Sequence, residues 1–312
     1  MTESLPDTVT KLVTSDGVPV FLVGTAHFSK ESMNDVTRTI QEVKPSIVVV
    51  ELCKSRSHIL MLDEERLLRE AENINYQVIS HSIKRHGVFK GLVYILFLKV
   101  SAQTTKMLGM APGGEFRVAV HEANQIQSPI FLGDRRIEVT IQRALSACSL
   151  WQKLKIFWQL LFFNESLTQE EVEKCKKKDI LQELLEEMAG EFPEMTRVFL
   201  NERDRYLALS MQSAARSVKN LPVVDPSKTR SVVGVVGIGH VSGIAKVWND
   251  VKFDELSELE RIYPPSRASR IIKFSLKFTF AVGAGYLVYR ILPLQKVGER
   301  IGHLKPHLKY FW

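Results

Sequence analysis

The sequence predicts an α/β fold with a parallel or mixed central sheet and surrounding helices. Residues 18–23 and 47–50 are short apolar runs of the kind that form buried strands. Between them, apolar side chains recur at spacings of three and four residues, which is typical of an amphipathic helix. Strand–helix–strand units of this kind build parallel sheets, because the helix carries the chain back across one face.

Two further apolar runs, residues 129–132 and 232–236, extend the predicted sheet. Each is followed by a helical pattern, so the strand–helix alternation continues along the chain. Other stretches also carry helical patterns: residues 55–70, 87–107, 115–123, 136–163, 168–188 and 193–217. We therefore expect one α/β domain over residues 1–262.

Composition and charge narrow the class of protein. The chain has 312 residues, of which 45% are hydrophobic and 25% are charged, which excludes a disordered or low-complexity chain. Its formal net charge is +7, but residues 261–312 carry ten basic residues and one acidic residue, so residues 1–260 are close to neutral. Nucleic-acid-binding domains normally carry basic side chains on a folded face, so we expect no nucleic-acid partner.

Targeting patterns point to a cytosol-facing protein. The first 13 residues are polar and include acids, unlike a secretory signal or a transit peptide. Three cysteines without CxxC spacing indicate neither a disulfide framework nor a thiolate zinc site.

Residues 271–292 predict a C-terminal transmembrane helix. The stretch is long enough to cross about 30 Å of hydrocarbon, and residues 278–289 are uncharged. Basic residues precede the stretch, which favours a cytosolic main domain and contact with membrane lipid. Residues 293–312 would form a short basic tail. The alternative is an amphipathic helix packed on the domain.

Two matched Gly-x-x-His motifs, Gly24 to His27 and Gly237 to His240, follow predicted strands. In each, the glycine permits a tight exit from the strand, and the histidine falls at the start of the next helix. In a parallel sheet such exits lie on one edge, where ligand sites of α/β proteins form. We therefore expect both histidines at that edge.

Glu51 directly follows an apolar run, and Asp134 follows another after Gly133, so both belong to the same edge. A lone histidine after a strand is usually a loop or capping residue, but two histidines and two carboxylates together favour a functional site. Imidazole and carboxylate ligands suit Mn²⁺, Co²⁺ or Zn²⁺. A metal-bound water beside a spare carboxylate is a hydrolytic arrangement. A nucleotide site is a weaker alternative, because GIGHVSG departs from the dinucleotide fingerprint by one residue.

Two glutamates are further candidates. Glu202 lies on the apolar stripe of the helix that Pro193 opens, so its carboxylate must be paired, hydrogen-bonded or bound to a cation. The alternatives are a salt bridge, with Arg203 or Arg205 as partner, and a site carboxylate. Glu115 follows two glycines at a helix start, where the helix dipole alone favours an acid.

Six motifs give the sequence a resemblance to the TraB domain family, which includes pheromone-shutdown proteins and is related to the Tiki and GumN proteins. Its eukaryotic members are the most similar, and the resemblance spans about residues 18–244. The motifs are VGTAH, VVVELCKSR, PGGEFRVAVHEA, LGDRRIEVTIQRAL, NERDRYLA and VGIGHVSGI.

The resemblance implies an α/β core and a metal-dependent, peptidase-like site. In the related Tiki proteins, paired Gly-x-x-His motifs and a glutamate are assigned to metalloprotease chemistry; carried over, these become His27, His240 and Glu51. Some intracellular eukaryotic members are associated with the mitochondrial outer membrane and with organelle contacts. The resemblance therefore favours the mitochondrial outer membrane over the endoplasmic reticulum as the location of this protein. Four more residues match family positions: Glu115, Asp134, Arg135 and Glu202.

Two functions follow as hypotheses. The first is a membrane-anchored, metal-dependent hydrolase that acts on peptides. Its metal would be held by His27, His240 and one or both of Glu51 and Glu202, and a remaining carboxylate would act as general base. The second is a catalytically inert, membrane-anchored adaptor or contact-site protein on the same scaffold.

Overall fold

A mixed five-stranded sheet forms the centre of the domain. The computed structural model describes residues 5–26, 29–61, 113–149, 151–152, 155, 190, 193–218 and 229–262. These residues belong to the first of two units of the chain, Met1–Ile262. The strands lie in the order β1–β2–β5–β3–β4; β1 is antiparallel to β2, and the other neighbours are parallel. Their bounds are β1 Val9–Val13, β2 Pro19–Thr25, β3 Pro45–Val50, β4 Ile130–Leu132 and β5 Thr229–Gly237.

Seven α-helices among the described residues surround the sheet, so the predicted α/β class with a mixed sheet is confirmed. A 3₁₀ helix at Lys54–Met61 and a π-helical turn at Arg197–Asn201 complete the regular structure. The α-helices are α1 Lys30–Val43, α2 Gly114–Gln125, α3 Ile137–Ala147, α4 Pro193–Thr196, α5 Glu202–Val218, α6 Ile238–Val247 and α7 Glu255–Leu259.

The alternation of side chains along β3 and β5 divides the core into two layers. Ile47 and Val49 of β3 pack on one face with Leu207 and Met211 of α5, together with residues of α6. Val48 and Val50 face the opposite layer with residues of α1 and α2. Because both faces of the sheet are covered, its central strands are apolar throughout, as parallel strands usually are.

At Gly234, a side chain of α5 packs directly against the backbone of the sheet. A Cβ atom at Gly234 would lie 2.8 Å from Met211 Sδ and 3.2 Å from a methyl carbon of Leu22. The glycine in the middle of β5 thus lets α5 lie close to the strand, and this helix supplies three charged side chains to the sites described below.

Three elements differ from the sequence-based expectation. The edge strand β1 was not predicted; it joins β2 through a turn at Gly17, whose φ of 79° suits glycine. Pro45 opens β3 instead of lying between helix and strand, because Lys44 already ends α1 in a left-handed conformation. The predicted helix over residues 193–217 is interrupted by the π turn, which shifts the register of the side chains that follow.

Several predicted segments lie wholly or partly outside the described residues. These include the helices expected over residues 87–107 and 168–188 and the membrane span expected over residues 271–292. Within the described ranges, no helix combines the length and apolar character needed to cross a membrane.

Candidate functional site

The four parallel strands, β2, β5, β3 and β4, end at the edge that carries the candidate site. Glu51 directly follows β3, and His240 lies in the first turn of α6, directly after β5. Both are buried, with 6% of each residue exposed. The structure therefore brings Glu51 and His240 together, as the strand-exit argument predicts.

Glu51 is held at both carboxylate oxygens. Its Oε2 accepts the backbone N–H of Gly237 at 2.7 Å, and its Oε1 lies 3.4 Å from His240 Nε2. Burial by itself raises the pKa of Glu51. The hydrogen bond and charge of His240, the charge of Arg203 and the Gly237 N–H outweigh burial and hold this pKa well below its usual range. Glu51 is therefore ionised at neutral pH.

Asp204 orients the imidazole ring of His240 through Nδ1, the nitrogen that does not face Glu51. His240 Nδ1 lies 2.6 Å from Asp204 Oδ1, and both side chains are buried. Burial lowers the pKa of His240, but the hydrogen bonds to Asp204 and Glu51 and the charge of Glu51 raise it to about 9. Burial raises the pKa of Asp204, and the hydrogen bond with His240 opposes that rise.

Gly243 makes room for this pair on the next turn of α6. A Cβ atom at Gly243 would overlap the carboxylate of Asp204. The sequence analysis identified neither residue as part of the site. The available signal was Gly243, the glycine three residues after His240.

Arg203 connects Glu51 to Asp134. Its Nη2 donates to Glu51 Oε1 and, at 2.9 Å, to Asp134 Oδ2, while its Nε donates to Asp134 Oδ1 at 3.1 Å. Arg56 also donates to Asp134 Oδ2 and to the Glu51 backbone oxygen. Burial lowers the pKa of Arg203, but the charges of Asp134 and Glu51 outweigh it and raise the pKa above its usual value.

Asp134 is a positioning residue in this arrangement. Besides Arg56 and Arg203, the backbone N–H of Arg135 donates to its Oδ1 at 2.8 Å. Both oxygens of Asp134 thus accept N–H groups, so this carboxylate fixes the orientation of Arg56 and Arg203.

Glu202 belongs to a separate cluster. Its carboxylate accepts N–H groups at 2.7 Å from Arg135, Arg143 and Arg197. Burial raises the pKa of Glu202, but the hydrogen bonds from Arg143 and Arg135 outweigh it and lower the pKa. The ion pair expected for this carboxylate is present, but its partners are neither Arg203 nor Arg205. We therefore place Glu202 outside the candidate site.

Arg135 belongs to the same cluster and is 1% exposed. It also donates to the backbone oxygens of Leu259, at the end of α7, and of Val198. Arg135 therefore links Glu202 to the end of α7 and to the π-helical turn. The preceding residue, Asp134, instead contacts Arg203 of the candidate site.

The remaining predicted residues are Glu115 and His27. Glu115 is buried in the first turn of α2, where the helix dipole favours an acid. His27 lies outside the described residues.

The described donors fit part of a metal site. Glu51 supplies an ionised carboxylate, and His240 would supply Nε2 once the ion displaces its proton, with Nδ1 held by a carboxylate as is usual for a metal-binding histidine. Among the residues that the structure describes, no group of three or more His, Cys, Asp or Glu side chains is placed to hold a metal ion. A complete site would therefore need a further ligand, such as His27.

Replacing Asp204 by Asn should lower the pKa of His240 in metal-free protein from about 9 towards its ordinary 6.5, because a carboxylate no longer stabilises the imidazolium. Since the folded-state pKa is raised, protonated His240 stabilises the fold fully below pH 6.5, and this stabilisation is lost as pH rises through 9. NMR titration of the imidazole measures the shift. The exposed Asp250→Asn variant is the control, and an unchanged titration in Asp204→Asn would contradict the assignment.

Replacing Glu202 by Gln should lower the free energy of unfolding by about 3–5 kcal/mol, because the buried guanidinium groups of Arg135 and Arg143 lose their counter-charge. The matched control is Glu194→Gln. Glu194 also binds Arg197 but is about half exposed, so its loss should cost less than about 1 kcal/mol. Urea unfolding at pH 7 compares them, and equal effects would show that Glu202 is no more important than a surface carboxylate.

Comparisons with known proteins identify the family of this chain. The model of the TraB/PrgY/gumN family matches residues 9–255. The chain is 45% identical to the TraB domain-containing protein of Mus musculus and 44% identical to that of Homo sapiens; each match covers 92% of this chain and 77% of the relative. It is 28% identical to an uncharacterized protein of Methanocaldococcus jannaschii over 78% of this chain and 58% of that protein. The chain therefore belongs to the TraB/PrgY/gumN family.

Proposed function

We propose that this TraB-family protein is a metal-dependent hydrolase that acts on peptides, with its reaction centre at Glu51 and His240. One observation carries the proposal: His240 directs Nε2 towards Glu51 Oε1 at 3.4 Å while Asp204 holds its Nδ1 at 2.6 Å. A carboxylate behind the imidazole fixes the ring and raises its basicity as a ligand.

His240 and Glu51 would hold the metal ion together with His27, the histidine of the first Gly-x-x-His motif. Imidazole and carboxylate donors suit Mn²⁺, Co²⁺ or Zn²⁺. When bound, such an ion lowers the pKa of a water molecule and polarises a carbonyl group. Each carboxylate oxygen of Glu51 already accepts one N–H group, Oε1 from Arg203 and Oε2 from Gly237, so Glu51 would bind the ion through a remaining lone pair.

The other residues of the site position these donors. Arg203 offsets the charges of Glu51 and Asp134, which lets two carboxylates lie together in a largely buried site. Asp134 fixes the guanidinium of Arg203 in return. Gly243 leaves the space that Asp204 needs behind His240.

Metal content tests this proposal directly. The full-length protein, loaded with Mn²⁺, Co²⁺ or Zn²⁺ and freed of excess ion, should hold about one metal ion per chain. His240→Ala and Glu51→Gln should each weaken metal binding about tenfold or more, whereas the exposed His121→Ala should not. Elemental analysis at fixed free metal measures this, and unchanged metal content in a His27→Ala/His240→Ala double variant would show that the metal site is wrong.

One observation favours the inert-adaptor alternative. Within the described part of the chain, a guanidinium lies between Glu51 and Asp134, and no group of three metal donors forms there. Complementation separates the two functions. The His27→Ala/His240→Ala variant fails to restore cellular function if the protein is a metal-dependent enzyme, and restores it fully if the protein is an adaptor.

We also propose that residues 271–292 anchor the protein to a membrane through lipid contacts, with the main domain in the cytosol and the mitochondrial outer membrane favoured over the endoplasmic reticulum. The basic residues on both sides of this apolar stretch support the proposal. The full-length chain should stay in the membrane pellet after alkaline carbonate extraction, whereas a chain lacking residues 271–292 should be released. Release of both would contradict the anchor.

A further inference from the structure

The outer edge of β4 borders a groove of about 580 Å³. Among the described strands, β4 is the last of the sheet and pairs with β3 alone. The opposite wall of the groove comes from α5 and from the segment that contains α7. The groove therefore lies beside β4, and no other described strand pairs with the outer edge of β4.

The backbone of β4 presents hydrogen-bonding groups to this edge. Pro129 O accepts from Val48 N at 3.0 Å, and Gly133 N donates to Val50 O at 2.8 Å. Because backbone groups point alternately to the two sides of a strand, the odd-numbered residues of this segment face β3. Ile130 and Leu132 therefore direct their N–H and C=O groups outward.

The groove also has an apolar wall. Phe131 and Leu132 are 41% and 40% exposed, although both are large hydrophobic residues. Phe253 and Leu256 line the same groove and pack against the core layer that contains Val49. Exposed apolar surface beside an open strand edge is typical of sites that accept an additional strand.

The charged residues that line the groove favour a ligand of opposite charge. The charged residues among its described lining are Asp254 and Glu260, and both are acidic. An occupant that carries a lysine or arginine side chain complements them. An acidic segment would be repelled by these carboxylates.

We propose that this groove binds an extended peptide as an added strand along β4, with an apolar side chain against Phe131, which lies on the same face of the sheet as Val49, and a basic side chain near Asp254 or Glu260. The strand edge runs through Gly133 to Asp134, so the bound peptide reaches the end of the sheet that carries the candidate site. The inference rests on the proposed function in taking a peptide as the substrate, and it specifies the class: extended segments that combine apolar and basic residues.

The probe is a fluorescein-labelled peptide of about six residues, the length of a typical strand, with alternating valine and threonine and one central lysine. Fluorescence anisotropy with the full-length protein should show saturable binding. Methylation of alternate backbone nitrogens should weaken binding about tenfold or more, because the added strand loses its donors to β4. Absence of binding, or equal binding of the methylated peptide, would overturn the proposal.

Leu132→Pro tests the edge from the protein side. Proline removes the outward N–H while the bonds from β4 to β3 remain, so the fold tolerates it at an edge strand. We expect about tenfold weaker peptide binding than in the matched Leu132→Val variant, which keeps the N–H. Equal binding by the two variants would contradict strand addition; thermal unfolding of both shows that the sheet is intact.

The double variant Asp254→Asn/Glu260→Gln tests the charge preference. It should bind the lysine peptide several-fold more weakly than the wild-type protein, and a peptide with glutamine in place of lysine equally well. An unchanged preference for lysine over glutamine would overturn the charge assignment.

Metal content measured on the same samples separates this inference from the proposed function. If the wild-type protein holds a metal ion but does not bind the peptide, the groove assignment is wrong and the metal site stands. If the peptide binds through its N–H groups but no metal is held, the groove stands and the proposed metal-dependent reaction fails.

Discussion

The largely buried guanidinium of Arg203 determines how the carboxyl edge of the sheet is organised. Glu51 and Asp134 follow different strands, and without a cation between them their charges would repel at short range in a poorly solvated place. Arg203 donates to both, and through Glu51 the network continues to His240 and Asp204. The fold can therefore keep two carboxyl groups together at this edge.

Three consecutive charged residues at the start of α5, Glu202, Arg203 and Asp204, belong to two different clusters. Arg203 and Asp204 serve the candidate site, whereas Glu202 holds Arg135 and Arg143. Through Arg143, which also donates to the backbone oxygens of Glu258 and Arg261, the second cluster fixes the end of the described domain. A change in the orientation of α5 would thus affect the candidate site and the C-terminal end of the domain at once.

Much of the fold follows from local sequence, because apolar runs and helical periodicity reflect burial directly. The Gly-x-x-His spacing also placed His240 beside Glu51, since parallel strands end on one edge. Partners that are distant in sequence could not be inferred this way: the position of Glu202 on an apolar stripe predicted a paired carboxylate but not Arg135 or Arg143. Asp204 was missed because a charged residue in a charged segment, NERDR, gives no sign of its burial.

A double-mutant cycle between Arg203 and Glu51 tests the central claim most directly. Arg203→Met, Glu51→Gln and the double variant are compared by urea unfolding at pH 7, with the surface pair Arg205 and Glu255 as the control cycle. The buried pair should show a coupling energy of about 2–3 kcal/mol, and the control pair less than about 1 kcal/mol. A coupling energy near zero for Arg203 and Glu51 would contradict the account, because the edge would then be organised without this interaction.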